Sequence, residues 1–242
     1  WDPLNWGADA IYDIVDKKLE FRSHYKMPAP QLETENCVAH NGSIIPVPGR
    51  DIFVQAWYQG GISIIDFTDS SKPIEIAYFD RGPIKENQLI TGGYWSVYYY
   101  EGSIYGTEIT RGLDTFKLIP SEYLTKNEIA AAELAYPSIG SRRLFNPQQQ
   151  IPLTWPSEPE VALAYLDQLN RDNILEDKTI DNITKILDRV DSAMKRGGNN
   201  RLSRQIERIE LNMDDPKFNG TTKYRIQKLN STLKDIAQKL KR

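Results

Sequence analysis

"GGISIIDFTDSSKP", residues 60–73, places Ile62, Ile64, Ile65 and Phe67 within six positions and then turns polar before Pro73. An apolar run of this length between Gly and an Asp/Ser/Pro cluster is strand-like. Periodicity alone does not separate one buried strand from one copy of a repeating unit. Laying the sequence on itself at an offset of 53 residues does. "GADAIYDIVDKKLEFRSHY" (7–25) falls over "GGISIIDFTDSSKPIEIAY" (60–78) without a gap, with Gly7/Gly60, Ile11/Ile64, Asp13/Asp66, Asp16/Asp69 and Tyr25/Tyr78 identical. A weaker third copy, "IYGTEITRGLDTFKL" (104–118), matches "FVQAWYQGGISIIDF" (53–67) around Gly61/Gly112.

A period of roughly 50 residues is that of four-stranded propeller blades. The middle unit divides into "VAHNGSIIPV", "DIFVQAW", "GISIIDF" and "PIEIAYF", separated by the turns "PGR", "YQG" and "TDSSK". The third strand is apolar on nearly every residue, as expected when both faces of a sheet are covered; a surface hairpin alternates. Asp66 and Asp69 are expected to bond nearby backbone amides in the turn, with Pro73 fixing entry to the next strand. The denser acidic spacing of a calcium loop is missing.

Residues 7–26 supply only the outer strands of one unit, 38–80 a complete unit, and 91–118 the inner three strands of another. A propeller ring needs at least about four blades. The expectation is therefore an open fragment, the C-terminal piece of a longer propeller, and a chain that opens on Trp1 instead of Met fits it.

After Leu118 the period disappears. "SEYLTKNEIAAAELA" (121–135) reads as a short helix, with Thr125 and Glu128 spaced as a capping box. Prolines 137, 147, 152, 156 and 159 follow, a density that excludes regular structure and marks a linker or strap. Beyond it, Ser157 and Glu160 are spaced as a second capping box. Ile180, Ile183, Leu187, Val190 and Met194 recur at helical spacing before Gly197-Gly198. Leu202, Ile206, Ile209 and Met213 predict a further helix, and Ile226, Leu229, Leu233, Ile236 and Leu240 the last. Single apolar stripes of this kind pack on one another.

The fold class is thus mostly β then α. A partial β-propeller of about two to three four-stranded blades spans 1–135, with a Pro-rich linker or strap over 136–156. A small antiparallel bundle of three to four helices spans 157–242.

Composition agrees with a globular protein: 242 residues, 40% hydrophobic and 26% charged. No apolar run is long enough to span a bilayer. The net charge of −3 is uneven, with 13 Lys+Arg against 19 Asp+Glu in residues 1–156 and 17 against 14 in 157–242, which hints at two modules. One cysteine excludes an internal disulfide.

The segment "CVAHNGSIIPVPGRDIFVQAWYQGGISIIDFTDSSKPIEIAYFDRGPI", followed by "GGYWSVYYYEGSIYGTEITRGLDTFKL", resembles the C-terminal blades of LVIVD-repeat proteins. These are predicted extracytoplasmic β-propellers named for a strand of the type seen in "ISIID". The resemblance covers about residues 5–135, and "HNGSIIPVPGRD" and "QAWYQGG" are its most specific phrases. The tail is similar to short helical modules of the FIMAH type, appended to bacterial surface and secreted proteins. The resemblance implies a fold, a secreted or cell-surface location and an interaction role. It implies no catalytic set.

Cys37 and His40 form C-x-x-H, half of a metal site, but His24 is the only other histidine and further donors are not grouped nearby. No metal and no cofactor is expected; His40 is instead expected to begin an inner strand and to hydrogen-bond within its own blade. No G-x-S-x-G, phosphate-binding glycine loop or H-E-x-x-H is present. Glu33 and Glu35 read as solvated loop carboxylates, not an acid/base pair.

Aromatics cluster around "QAWYQGG" and "GGYWSVYYYEG". Part of that set must fill space between sheets. The remainder, near turns, predicts a ligand-binding face of Trp57, Tyr58, Tyr94, Trp95, Glu108, Arg111 and His40, taking a protein or glycan. That expectation fails if Trp57 and Trp95 are both fully buried. The last helix carries Lys223, Arg225, Lys228, Lys234, Lys239, Lys241 and Arg242, a possible weak contact for an anionic polymer. Aromatic interleaving for stacking bases is missing, so no specific nucleic-acid binding is expected.

The expected function is a noncatalytic extracytoplasmic binding or scaffolding protein with a helical interaction module. The alternative is a propeller enzyme whose axial channel site lies largely in upstream blades.

Overall fold

The computed structural model describes residues 3–138 and 151–241. The chain is β then α, built from small antiparallel sheets followed by helices, and divides into two compact units. The first unit holds the chain to Pro46 and Arg50–Ile119. The second holds Val47–Gly49, Pro120–Ser138 and the chain from Leu153 onward.

In the first unit, β1 (Asp9–Val15) pairs with β2 (Lys18–Tyr25) as a two-stranded sheet. A four-stranded sheet runs in chain order through β3 (Gly42–Ile45), β4 (Ile52–Ala56), β5 (Ile62–Asp66) and β6 (Ile74–Phe79). A three-stranded sheet follows: β7 (Tyr94–Tyr100), β8 (Ser103–Glu108) and β9 (Gly112–Phe116). Residues 60–73 form β5 and the turns that flank it. Ile62, Ser63, Ile64 and Ile65 are all buried, so both of its faces are covered. Burying each such Ile stabilises by about 1.5–3 kcal/mol.

The repeat is physical as well as textual. The β1–β2 ladder shifts register between Ile11 and Tyr12, and the β5–β6 ladder between Ile64 and Ile65, which are the aligned positions. Gly61 and Gly112, aligned in the third copy, both enter their strands with φ of +82° and +97°. An L side chain is strained there.

Asp66 behaves as the turn chemistry requires. Its Oδ1 accepts from the Thr68 amide at 2.9 Å and the Thr68 hydroxyl at 2.6 Å, and its Oδ2 from Arg50 Nη2 at 2.6 Å. Asp69 Oδ1 accepts from the Ser71 amide at 3.0 Å. Burial opposes ionisation of Asp66, but the Arg50 charge and these bonds outweigh it and hold the carboxyl below its ordinary value of 3.8. A depressed folded pKa contributes stability present above the unfolded pKa and lost as pH falls through the folded one. Acid unfolding of the chain is therefore expected to steepen below pH 4. Asp66→Asn should lessen that slope in denaturant melts between pH 5 and pH 2.5, and an unchanged slope would refute the assignment.

The second unit begins with α1 (Lys126–Glu133), capped by Thr125 and Glu128 in the expected capping box. Short strands β10 (Tyr136–Pro137) and β11 (Leu153–Thr154) pair antiparallel, so the flanks of the expected strap carry a ladder after all. Its middle, 139–150 including Pro147, lies outside the described residues. A two-residue edge tolerates Pro137, which has no amide to donate.

α2 (Pro159–Arg171) starts one residue later than a Ser157 cap would place it. Pro159 suits the first helical position and makes Glu158 the N-cap, while the Ser157 hydroxyl donates to Asp235 at 2.9 Å. The expected continuous helix over 180–194 is two: α3 (Asp177–Leu187) and α4 (Val190–Lys195). Between them the Arg189 amide bonds the Ile186 carbonyl, a tightened three-residue turn. It rotates the stripe, so Ala193 is buried and Met194 is 37% exposed.

α5 (Asn200–Ile206) stops well before Met213. The Asn230 side chain takes the Leu211 amide at 3.0 Å and returns a bond to its carbonyl at 2.9 Å, holding that segment extended. α6 (Gly220–Lys239) is the long helix, and Ile226, Leu229, Leu233 and Ile236 all lie in the core of this unit.

Candidate functional site

Most of the sequence-predicted site residues gather at one edge of the two larger sheets of the first unit. His40 precedes β3, Tyr58 lies in the β4–β5 turn, Tyr94 and Trp95 open β7, and Glu108 closes β8. That turn approaches β7 closely. Tyr58 and Tyr94 exchange backbone hydrogen bonds of 3.1 and 2.8 Å. Gln59 fixes the same turn to the loop before β7: its side chain donates to the Ile90 carbonyl and accepts from the Ile84 amide, both at 2.8 Å.

Packing then divides the set. Trp57 is fully buried, in a cluster with Tyr25, Met27, Cys37 and Ile65. Tyr94 is also buried; its ring packs beside Phe79 and Phe116 and its hydroxyl donates to Asp114 at 2.6 Å. Burial, followed by that bond, pushes the Tyr94 phenol upward. Glu108 is a turn-maker. Its carboxylate accepts from the Gly93 amide at 2.5 Å, the Thr110 amide at 2.9 Å and the Arg111 amide. Arg111 is exposed, with Nη2 at 3.5 Å from the Pro83 carbonyl.

What remains is a cluster of three rings. His40 lies 4.3 Å from the Trp95 ring and 4.8 Å from the Tyr58 ring, and Tyr58 lies 5.8 Å from Trp95 at a near-perpendicular 85°. Trp95 is 48% exposed. The His40 Nδ1–H donates to the Trp95 carbonyl at 2.5 Å, which fixes the tautomer and leaves Nε2 as an acceptor. As expected, His40 bonds within its own sheet, its amide donating to the Ala56 carbonyl at 2.9 Å and its carbonyl accepting from Gln55 Nε2 at 2.8 Å, while its ring reaches the neighbouring sheet at Trp95.

Trp95 faces outward because the β7–β8 register shifts between Tyr94 and Ser96, leaving it as the unpaired residue of a bulge. Tyr58 has φ of +49°, a left-handed conformation uncommon for an aromatic residue. Such strain persists only where surrounding structure enforces it, and it concentrates at binding and catalytic sites.

Cys37 is buried, and burial, with Glu35 and Asp80 nearby, pushes its thiol up to about 12. Among the described residues no group of three or more His, Cys, Asp or Glu is placed to hold a metal ion. No described helix is long and apolar enough to cross a membrane.

The basic helix of the second unit is partly neutralised. Arg225 pairs with Asp172 at 2.6 Å, Lys239 with Glu158 at 2.8 Å and Lys241 with Glu207 at 2.7 Å. Lys223, Lys228 and Lys234 are exposed, and Arg242 lies outside the described residues.

Comparison with family models, with curated proteins and with solved structures finds no match to this chain.

Proposed function

We propose that this chain is a noncatalytic binding or scaffolding protein, a β-propeller of the LVIVD-repeat type that acts outside the cytoplasm. The helical unit is its interaction module, similar to the FIMAH type. In this reading the β3–β6 and β7–β9 sheets are neighbouring blades. Supporting it are the sequential order of strands, the left-handed glycines at aligned positions and the way the first strands of the two sheets lie side by side. The Tyr99 amide of β7 donates to the Ser43 hydroxyl of β3 at 2.8 Å, with Ser43 buried.

The observation that carries the reading is the half-exposed His40–Tyr58–Trp95 stack. Rigid rings held by backbone bonds lose little conformational entropy on binding, and Trp and Tyr are the residue types that dominate binding energy at recognition surfaces. The cluster presents the half-exposed Trp95 ring braced edge-on by Tyr58 and tilted against His40, apolar area that suits a sugar ring or an extended peptide.

The test is a screen of glycan and peptide arrays with the full chain, followed by titration of each hit against Trp95→Ala and Tyr58→Gly. Glycine accepts the left-handed backbone of residue 58, so the second variant removes the ring without adding strain. Each variant is expected to weaken binding about tenfold or more, the loss of a principal contact. Ligands that bind both variants as tightly as the parent chain would overturn the proposal.

A further inference from the structure

A separate concavity of about 260 Å3 lies between the β1–β2 hairpin and the β4–β5 strands, bordered by Asp9, Ile11, Tyr12, Tyr25, Phe53 and Phe67 among others. Its wall is aromatic and aliphatic apart from one carboxylate. In β1, Asp9, Ile11 and Asp13 share the less exposed face, while Ala10, Tyr12 and Ile14 are exposed. Asp9 aligns with Ile62, a buried core residue of the second repeat copy. An acid therefore stands where packing alone would put an aliphatic side chain.

One oxygen of that acid is shut in: Asp9 Oδ2 is buried and makes no hydrogen bond among the described residues. Its ladder partner Tyr25 is committed elsewhere: the Tyr25 hydroxyl donates to Glu75 Oε2 at 2.9 Å, and Ser63 donates to the same oxygen at 2.5 Å. Burial pushes the Asp9 carboxyl up to about 6, so at pH 8 it is an ionised group in a ring-lined pocket. Leaving a buried carboxylate unpaired is unfavourable, and a positive ligand removes that penalty. Aromatic rings around an acid attract organic cations through their quadrupoles and shed little water on doing so.

We propose that this pocket binds a small organic ammonium ion, with Asp9 as its counter-charge and Tyr25, Phe53 and Phe67 as its aromatic walls. The volume falls just below the roughly 300–1,000 Å3 of sites for drug-sized ligands, so the ligand is compact. The site is distinct from the His40–Tyr58–Trp95 stack and stands whether or not that stack recognises a ligand.

The test is calorimetric titration of the full chain at pH 8 with choline and with 3,3-dimethylbutan-1-ol, its neutral isostere. Ile11 and Ile65 methyl resonances locate the bound ligand. Choline is expected to bind saturably, to shift those methyl signals, and to bind about tenfold or more tighter than the alcohol, because only the cation pairs with the buried charge. Asp9→Asn should weaken choline binding by about tenfold or more and leave the alcohol unchanged. The comparison of the two ligands uses the unmodified chain, so it holds even if a variant misfolds. Equal affinities for choline and the alcohol, no saturable binding of choline, or saturable binding that leaves Ile11 and Ile65 unshifted would each overturn the proposal.

Discussion

Gly93→Ala is expected to destabilise the chain by about 3 kcal/mol or more, whereas Gly112→Ala costs only about 1 kcal/mol, the strain of a left-handed backbone. The two glycines have similar torsions, with φ of +89° and +97°. They differ in their surroundings. A Cβ at Gly93 would lie 1.9 Å from the Tyr58 carbonyl carbon and 2.1 Å from the Gln59 nitrogen, whereas at Gly112 nothing lies within 4 Å. Backbone cannot swing aside as a flexible side chain does, so the β4–β5 turn must separate from β7. The Tyr58–Tyr94 bridge and the ring cluster built on it go with that separation. Chemical denaturation of both variants gives the difference, and amide exchange at Tyr58 and Tyr94 localises it. Equal destabilisation by the two substitutions would show that the close approach at Gly93 does not hold this edge together.

Glu128→Ala is expected to cost about 3–5 kcal/mol, the range for removing one partner of a buried ion pair. Glu128 is fully buried at the start of α1, where it accepts from Arg171 Nη1 at 3.2 Å and Nη2 at 2.5 Å. It also takes the Thr125 amide at 2.8 Å, completing the capping box. The variant therefore strands a guanidinium that is only 29% exposed and uncaps a helix at once. Replacing both partners, Glu128→Leu with Arg171→Met, should recover most of the loss, because apolar substitution of a whole buried pair is often near neutral. The residue of about 1 kcal/mol is the cap. Urea melts of the single and double variants decide it; a double variant no more stable than Glu128→Ala would mean that packing, not the stranded charge, sets the cost.

Local patterns carried the strands well. The apolar saturation of Ile62–Ile65 requires cover on both faces, and the repeat places Gly61 and Gly112 where a left-handed entry is needed. Helix ends were legible where the signal is a bond within one turn, as at Thr125 and Glu128, and misleading where a distant group intervenes. Asn230 holds Leu211 extended, and nothing in the run Ile206–Met213 announces it.

The site shows the same division. Aromatic density at "QAWYQGG" and "GGYWSVYYYEG" falls at one edge of the two larger sheets. Which rings remain open depends on a bulge and on packing across sheets, so Trp57 became core while Trp95 stayed exposed. Asp9 had a visible signal in its alignment with Ile62. The charge mismatch acquires meaning only when one carboxyl oxygen is found buried without a hydrogen bond among the described residues.

Cys37, the sole cysteine, sits closed off beside Trp57 in the first unit, and its proton is tightly held. Thiol reagents attack the deprotonated, accessible sulfur. The rate at which such a reagent consumes the protein is therefore a clock for the opening of the strand-built half alone, and the helical half runs silent on it.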